Sequence, residues 1–300
     1  MRLLGISRSK KFSPNMAGKD EAIFMSVVTK LLRKGHEVSI LAEDVFVAPN
    51  LSEFALVFSM ARGVDVLRVL AEARSGCGLR VLNSPEAVLR NARAELVSIF
   101  AAAGVPQPAS VVLDLAEGEC SHAAASGCCA GEGMPDFPGF PLWLKRGDAC
   151  AQGAGDVCFV ESEASWESVL SEFRRRGILR AVAVAHAEGD LLKFYGVEGN
   201  SFFHFTYPTA EGGFSKFGLE VHNGPARHFA FDSSALKVCA DKAARVSGFS
   251  IYGGDAVVRA DGSFQIIDFN DWPSFSSCRK AAAEAIVERI ENELSGISLH

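Results

Sequence analysis

Several common signatures are missing from this 300-residue sequence, and each absence excludes a class of protein. No apolar run approaches the roughly 20 residues that a membrane-spanning helix needs. The net charge of −6 at pH 7 argues against the basic surface of a nucleic-acid-binding protein. The eight cysteines include no C-x-x-C pair, and the cysteines of segment 120–129 match no common zinc spacing. We therefore expect a protein with reduced thiols that binds neither nucleic acid nor membranes.

The first residues also lack the features of an export signal. Residues 1–6 are a short apolar run that Arg8, Lys10 and Lys11 interrupt, which is too short for a signal-peptide core. A cytoplasmic location is expected. Neither G-x-G-x-x-G nor G-x-S-x-G occurs, so the sequence predicts neither a dinucleotide-binding turn nor a nucleophilic serine.

The hydrophobic pattern predicts a small parallel βαβ domain at the N-terminus. Short apolar runs at 3–6 and 37–41 flank a helix at 20–34 whose Ile23, Val27 and Leu31 share one face. The predicted unit then continues through a strand at 55–60, a helix at 64–74 and a strand at 80–83. A length of 300 residues is consistent with about two domains.

The rest of the chain alternates strands and helices behind a proline-rich boundary. Ser84 and Pro85 predict the start of a helix that ends at Gly104, and Val105-Pro106-Gln107-Pro108 separates this helix from the next strand. Strands are predicted at 110–113, 142–145, 157–160, 181–185, 191–197 and 202–207, and helices at 166–176, 234–246 and 277–294. We predict an N-terminal domain at 1–83, a linking helix at 84–108 and two subdomains at 109–186 and 187–300.

Two β-branched runs near the C-terminus flank Asp261-Gly262 and predict a β-hairpin. A two-residue turn there gives the pairs Arg259 with Phe264, Val257 with Ile266, and Asp255 with Asp268. A three-residue loop would shift the register by one residue and separate the two aspartates.

The opposed aspartates of this hairpin predict a metal site. Carboxylates facing each other with Cβ atoms roughly 4.5–5.5 Å apart destabilise a sheet unless a positive group lies between them. Asn270 follows Asp268 by two residues and points to the same face. Hard oxygen ligands at this spacing suit Mg²⁺. The alternative is two separately solvated aspartates at strand ends, which the apolar residues around them disfavour.

A lysine at the end of another predicted strand precedes a glycine-rich loop. Lys145 ends the run Phe-Pro-Leu-Trp-Leu-Lys, and Gly147, Gly153 and Gly155 come after it. Glycines leave backbone N–H groups open to phosphate oxygens, and the lysine adds a charge. A flexible hairpin loop with a lysine that reaches to solvent explains the same pattern, so both interpretations stay open.

Taken together, residues 82–290 resemble the ATP-grasp superfamily. The matching pieces are the helix that leads into 104–108, the strand ending at Lys145 with its glycine loop, a hinge around 181–189, and Asp255 with the segment 267–274. The resemblance implies an α/β and α+β fold, in which the small parallel βαβ domain precedes a two-subdomain ATP-grasp fold that clasps ATP.

The resemblance also implies roles for single residues. Asp255, Asp268 and Asn270 are the implied Mg²⁺ ligands, and Lys145 is implied to contact the α or β phosphate. The loop with Gly153 and Gly155 would close over the γ phosphate. Further implied nucleotide-binding residues are Arg93, where the family often has a second lysine, and the hinge residues Val182, Val184 and His186.

Two departures from the family pattern concern charge. The hinge lacks the glutamate that commonly contacts adenine, and Gly253 stands where an arginine often precedes the first metal ligand. Lys193, Lys216 and Arg259 are candidates to replace that charge, and Lys193 and Arg259 are our predicted catalytic residues. A weaker likeness of the segment from His186 to Tyr195 points to inositol polyphosphate kinases within the superfamily.

The resemblance favours an ATP- and Mg²⁺-dependent ligase. A carboxylate would become an acyl phosphate, and an amine or similar nucleophile would capture it. A small-molecule kinase and a nucleotide-binding module without turnover are the alternatives. Besides ATP we expect a small-molecule or peptide substrate, whose identity the sequence does not give because substrate contacts lie in loops that vary on one fold. Whether the chain forms a homodimer is left open.

Overall fold

The computed structural model describes residues 1–13, 15–115, 137–149, 153–208 and 219–296. The chain forms two compact units, one of Met1–Arg90 with Asp190–His300 and one of Asn91–Gly189. The described strands are β1 Arg2–Ser7, β2 Glu37–Ala42, β3 Leu56–Ser59, β4 Val81–Leu82, β5 Ser110–Asp114, β6 Leu142–Arg146, β7 Val157–Val160, β8 Arg180–Ala185, β9 Asp190–Val197, β10 Phe203–Thr206, β11 Ile251–Val258 and β12 Phe264–Asp271. The described helices are α1 Ala17–Arg33, α2 Val64–Cys77, α3 Pro85–Leu89, α4 Arg93–Ala103, α5 Glu163–Arg175, α6 Ser233–Ser247 and α7 Arg279–Leu294.

The first unit begins with the predicted parallel sheet. Its strand order is β2-β1-β3-β4, and every neighbouring pair is parallel. Helix α1 buries Ile23, Val27 and Leu31 completely, the face that the four-residue spacing predicts. These side chains share a core with Leu3 and Phe58 of the sheet. The predicted small parallel sheet is confirmed, whereas the domain boundaries predicted at residues 83, 108 and 186 stay predictions.

The second sheet of this unit is antiparallel, in the order β10-β9-β11-β12. Successive residues of a strand point to opposite faces, and the two faces meet different helices. On one face, the Tyr252 hydroxyl of β11 donates to Asp241 of α6 at 2.6 Å. On the other, Val197 and Ile251 join the core that contains Ile286 of α7.

The second unit is an antiparallel sheet in the order β5-β8-β6-β7 with a helix on each face. Helix α5 packs Trp166, Leu170 and Phe173 against Leu142, Leu144, Ala181 and Ala183. The neighbouring residues in each strand point the other way, so Val182 and Val184 pack against Ala94 of α4. The α+β part of the predicted fold is confirmed.

The helix predicted from Pro85 to Gly104 is wrong in one respect, because it is two helices. Ser84 Oγ accepts from Ala87 N and begins α3 as expected. The chain leaves the helix after Leu89 and restarts at Arg93, where Ala94 N donates to the carbonyl of Gly147 at 3.1 Å. This contact satisfies a first-turn N–H of α4 from outside the helix. The break between the two helices also coincides with the boundary between the units. Gly104, in the left-handed conformation with φ 63°, ends α4 as predicted.

Among the described residues, no helix has both the length and the apolar composition needed to cross a bilayer.

Replacing Gly254 by alanine should destabilise the first unit. A Cβ at this position would overlap the carbonyl oxygen of Asp268 and the ring of Phe194, both in the packed sheet. Overpacking of this kind costs about 1–3 kcal/mol. The matched control is Gly76→Ala in α2, where a Cβ meets nothing within 4 Å. Urea unfolding should show a lower free energy of unfolding for Gly254→Ala alone, and equal stability of both variants would contradict the close approach of β11 and β12.

Candidate active site

The hairpin of β11 and β12 places Asp255 directly opposite Asp268, as predicted, but the register near the turn differs from the predicted one. Near the turn, Val258 pairs with Phe264 and Val257 with Gln265, so the predicted pairs of Arg259 with Phe264 and Val257 with Ile266 are wrong. The loop is longer than two residues, since Arg259 N donates to Ser263 O. A β-bulge between Asp255 and Ala256 leaves Ile267 as the extra residue on β12 and restores the expected register.

A third strand adds a positive charge to this pair. Lys193 of β9 lies directly opposite Asp255, and its Nζ is 3.1 Å from Asp255 Oδ1. Asn270 donates its Nδ2 to Asp268 Oδ2 at 3.3 Å. The Lys193 and Asp255 side chains are 20% and 27% exposed. Lys193, Asp255, Asp268 and Asn270 thus form one polar, partly solvated group on a single sheet face, which we call the hairpin site.

The donor set of the hairpin site fits Mg²⁺. Two carboxylates and an amide converge on the same face, and Mg²⁺ is held in proteins by one or two carboxylates while water or phosphate oxygens complete its shell. The partial exposure of the site leaves room for those ligands. The site has two carboxylates, and no cluster of three or more His, Cys, Asp or Glu side chains that could hold a metal occurs in the described parts of the chain.

The side chains of Tyr195 and Pro273 lie at one side of the hairpin site. Where an arginine was expected, a Cβ on Gly253 would lie 2.7 Å from Pro273 Cγ and 3.1 Å from Tyr195 Cδ1, so these side chains fill the position. Tyr195 lies two residues beyond Lys193 on the same face of β9, and burial raises its pKa to about 12. Sequence reasoning missed this neighbour of the site, although the period of the strand would have shown it.

Asp271, the residue after Asn270, anchors the end of β12. Its buried carboxylate pairs with Arg62 at 2.5 Å and with Arg8 at 3.4 Å. Arg8 also donates to Trp272 O at 3.0 Å and pairs with Asp20 at 3.1 Å. Burial opposes the charged form of Asp271, but Arg62 and Arg8 outweigh it and hold the pKa of Asp271 below its usual value. No local pattern could have predicted this network, because its members are up to 264 residues apart.

The second unit holds the predicted phosphate-binding lysine. Lys145 is 6% exposed on β6, opposite Val157 and Val182 of the neighbouring strands. Arg93 Nη1 donates to the carbonyl of Arg146, the next residue, at 3.0 Å. Arg93 therefore lies next to the strand of Lys145, and contact of either residue with a phosphate stays a prediction.

The glycine loop after Lys145 is partly described. Gly153 N donates to Asp156 Oδ2 at 3.0 Å, and Asp156, fully buried, pairs with Arg176. A Cβ on Gly155 would lie 2.8 Å from Arg176 Nη1. At Gly153 a Cβ would lie 3.9 Å from Arg176 Nη2, which is an ordinary contact, so this ion pair does not require a glycine there. Contact of the loop with a γ phosphate stays a prediction. Residues 150–152 lie outside the described residues.

Two of the predicted hinge residues are poorly placed for nucleotide contact. Val182 and Val184 lie in β8, the strand between β5 and β6, with side chains at most 5% exposed. In a central antiparallel strand the backbone groups are used by the ladders on both sides, so these residues cannot offer them to adenine. The hinge prediction began too early in the chain. His186 follows β8, and its Nδ1 is 3.1 Å from Trp143 Nε1, which orients the ring.

Of the other charged residues predicted for the site, Arg259 is among the described residues. Arg259 is exposed at the hairpin turn, where its Nη2 donates to Gln265 Oε1 at 2.7 Å. Four residues separate it from Asp255, roughly 13 Å along a strand, and the structure does not bring the two together. Lys216 and the segment 120–129 with its cysteines lie outside the described residues.

The fold is that of ATP-grasp proteins. A solved RimK-domain ATP-grasp protein from Sphaerobacter thermophilus is similar, with TM-score 0.63, 16% identity and coverage of 96% of this chain and 98% of that one. Two structures of D-alanine–D-alanine ligase from Bacillus anthracis are also similar over 98% of this chain and 99% of theirs. One, complexed with ATP, has TM-score 0.65 at 11% identity, and the other has 0.64 at 12%. At these identities the likeness establishes the fold alone. No protein-family model matches the sequence, and no curated protein does.

Replacing Asp268 by asparagine should relieve the charge repulsion with Asp255 and also abolish the thermal stabilisation by Mg²⁺ and ATP. Without divalent cations the Asp268→Asn variant should melt no lower than the wild type, because the like-charge pair with Asp255 is relieved. With millimolar Mg²⁺ and ATP, only the wild type should gain several degrees. Thermal melts in each condition measure both effects.

The control for this experiment is Asp261→Asn at the turn of the same hairpin. Asp261 Oδ1 accepts from Ser263 N, and asparagine keeps that acceptor. The control should respond to Mg²⁺ and ATP as the wild type does. An equal Mg²⁺ response in Asp268→Asn would refute the assignment of Asp268 as a metal ligand.

Proposed function

We propose that this protein is an ATP- and Mg²⁺-dependent ligase that activates a carboxylate as an acyl phosphate. The observation that carries the proposal is the hairpin site, where opposed carboxylates, an amide and a lysine share one face of an ATP-grasp fold. Lys193 pairs with Asp255 alone, and a bound cation would neutralise both opposed carboxylates, which supports a working metal site rather than an inactive copy.

The reaction requires little covalent participation by the protein. In the first step a carboxylate oxygen attacks the γ phosphorus of ATP, the bond to the β-phosphate oxygen breaks, and ADP leaves. In the second step an amine attacks the acyl carbon and inorganic phosphate leaves with the bonding electron pair. Positioning and charge neutralisation supply the acceleration of such steps.

Each residue of the proposed site has a specific role in the proposed reaction. Asp255, Asp268 and Asn270 would hold Mg²⁺, which neutralises charge on the phosphates. Lys193, next to Asp255, supplies a fixed positive charge on the same face. Lys145 contributes a charge for the α or β phosphate. Nucleotide contacts from the hinge are proposed for the segment 186–189, which follows β8.

An oxygen-labelling experiment tests the proposed reaction. Candidate carboxylates and amines are first screened for release of ADP from ATP. With the productive carboxylate labelled with ¹⁸O, a ligase must transfer one labelled oxygen to inorganic phosphate, which mass spectrometry detects. A phosphorylated alcohol formed without free phosphate would replace the ligase by a kinase, and nucleotide binding without any turnover would indicate a binding module.

Replacing Lys145 by methionine should weaken ATP binding by roughly tenfold or more, because a charge-assisted contact to phosphate is lost while the apolar stem is kept. ATP at about 100 times its dissociation constant should stabilise the wild type by about 2.7 kcal/mol, and the variant by less at the same concentration. Titration calorimetry gives the affinities, and circular dichroism checks the fold. Exposed Lys280→Met serves as the charge-matched control. Equal ATP affinity in the Lys145→Met variant and the wild type would remove Lys145 from the site.

A further inference from the structure

A second concave site lies in the first unit, apart from the hairpin site. It is a cavity of about 1080 Å³ between the region 74–90, which includes β4 and α3, and the residues at the end of α6, the start of β11 and α7. None of the hairpin-site residues lines it. Ser250, at its edge, is five residues before Asp255, which is roughly 17 Å along a strand.

Guanidinium groups dominate the charge of this cavity. Arg74, Arg80, Arg90 and Arg289 line it, against the carboxylates of Glu86 and Glu293. Arg74 pairs with Glu86 at 3.1 Å and Arg289 pairs with Glu293 at 2.7 Å, so both carboxylates are already engaged. Within the described residues, Arg80 and Arg90 have no acidic partner. The cavity therefore carries a net positive charge in a protein whose overall charge is −6.

The arginines of this cavity also have N–H donors that are not used in hydrogen bonds within the described residues. The Nε of Arg289 is buried and has no hydrogen-bond partner in the described part of the chain. A buried guanidinium N–H without an acceptor is costly, and an incoming anion would supply that acceptor. Arg80 donates through Nη1 to the carbonyl of Glu293, which holds its side chain at the cavity while its other donors remain.

We infer that this arginine-lined cavity binds a small polyanion, of the class that carries two or more phosphate or carboxylate groups. The planar donor forks of arginine match both groups in a two-point geometry, and several of them around one cavity favour a multivalent anion over a single charge. The size of the cavity is that of a small-molecule site. The inference does not require the proposed ligase activity, because the cavity is separate from the hairpin site.

The experiment uses inorganic pyrophosphate and citrate as probes, without Mg²⁺ or ATP. Calorimetric titration of the wild-type chain should show saturable binding of at least one probe, with an affinity that falls as salt is raised. The double variant Arg80→Gln with Arg90→Gln should lose about tenfold or more of that affinity, because both guanidinium groups without an acidic partner are removed. Binding of pyrophosphate alone indicates phosphoryl ligands, and binding of citrate alone indicates carboxylates.

Two controls separate this site from the nucleotide site. Arg68→Gln removes an exposed arginine of helix α2 that does not line the cavity. This variant should bind the probes like the wild type. Mg²⁺-ATP should stabilise the double variant as much as the wild type, whatever the probes do. The inference is overturned if neither probe binds, or if probe affinity survives in the double variant and is lost in Lys145→Met or Lys193→Met.

Discussion

The opposition of Asp255 and Asp268 is the constraint on which the rest of the site depends. Two carboxylates in register on neighbouring strands repel each other, and the surrounding sheet is too apolar to solvate them fully. The structure meets this cost partly with Lys193, which pairs with Asp255, and partly by leaving the face open to solvent. A cation that joins the carboxylates would remove the remaining repulsion. The arrangement therefore makes chemical sense as a place for Mg²⁺ and phosphate.

The backbone around the pair is built to hold that register. The bulge at Ile267 corrects the shift that the turn introduces, and Gly254 lets β11 approach β12 closely. Beyond the site, the buried carboxylate of Asp271 is held by Arg8 and Arg62 from the loops after β1 and β3. Removing one partner of such a buried pair leaves an uncompensated charge, which is strongly unfavourable. The end of β12 is thus fixed by residues far away in the chain.

Most elements of the fold could be predicted because they depend on local patterns. Helix α1 follows its four-residue apolar spacing, and β9 and β11 follow β-branched and aromatic runs. The division of the helix at residues 90–92 could not be predicted in this way. It depends on a contact between Ala94 and Gly147, and nothing in the helical pattern encodes that distant carbonyl. The hinge prediction at Val182 and Val184 failed for a similar reason, since only the strand order shows that β8 is central.

The sequence by itself determined the element types, the parallel N-terminal sheet and the C-terminal hairpin, whereas the bulge at Ile267 that sets Asp255 opposite Asp268 was visible only in the structure. The first three features depend on side-chain periodicity and on the turn residues, which act over a few positions. The tertiary structure alone decided that Lys193 completes the hairpin site, that Tyr195 and Pro273 occupy the space expected for an arginine, and that Asp271 is buried between two arginines. It also gathered four arginines around one cavity. Such groupings depend on which strands and loops become neighbours, and the burial energy that selects those neighbours is a property of the whole packed core rather than of any local segment.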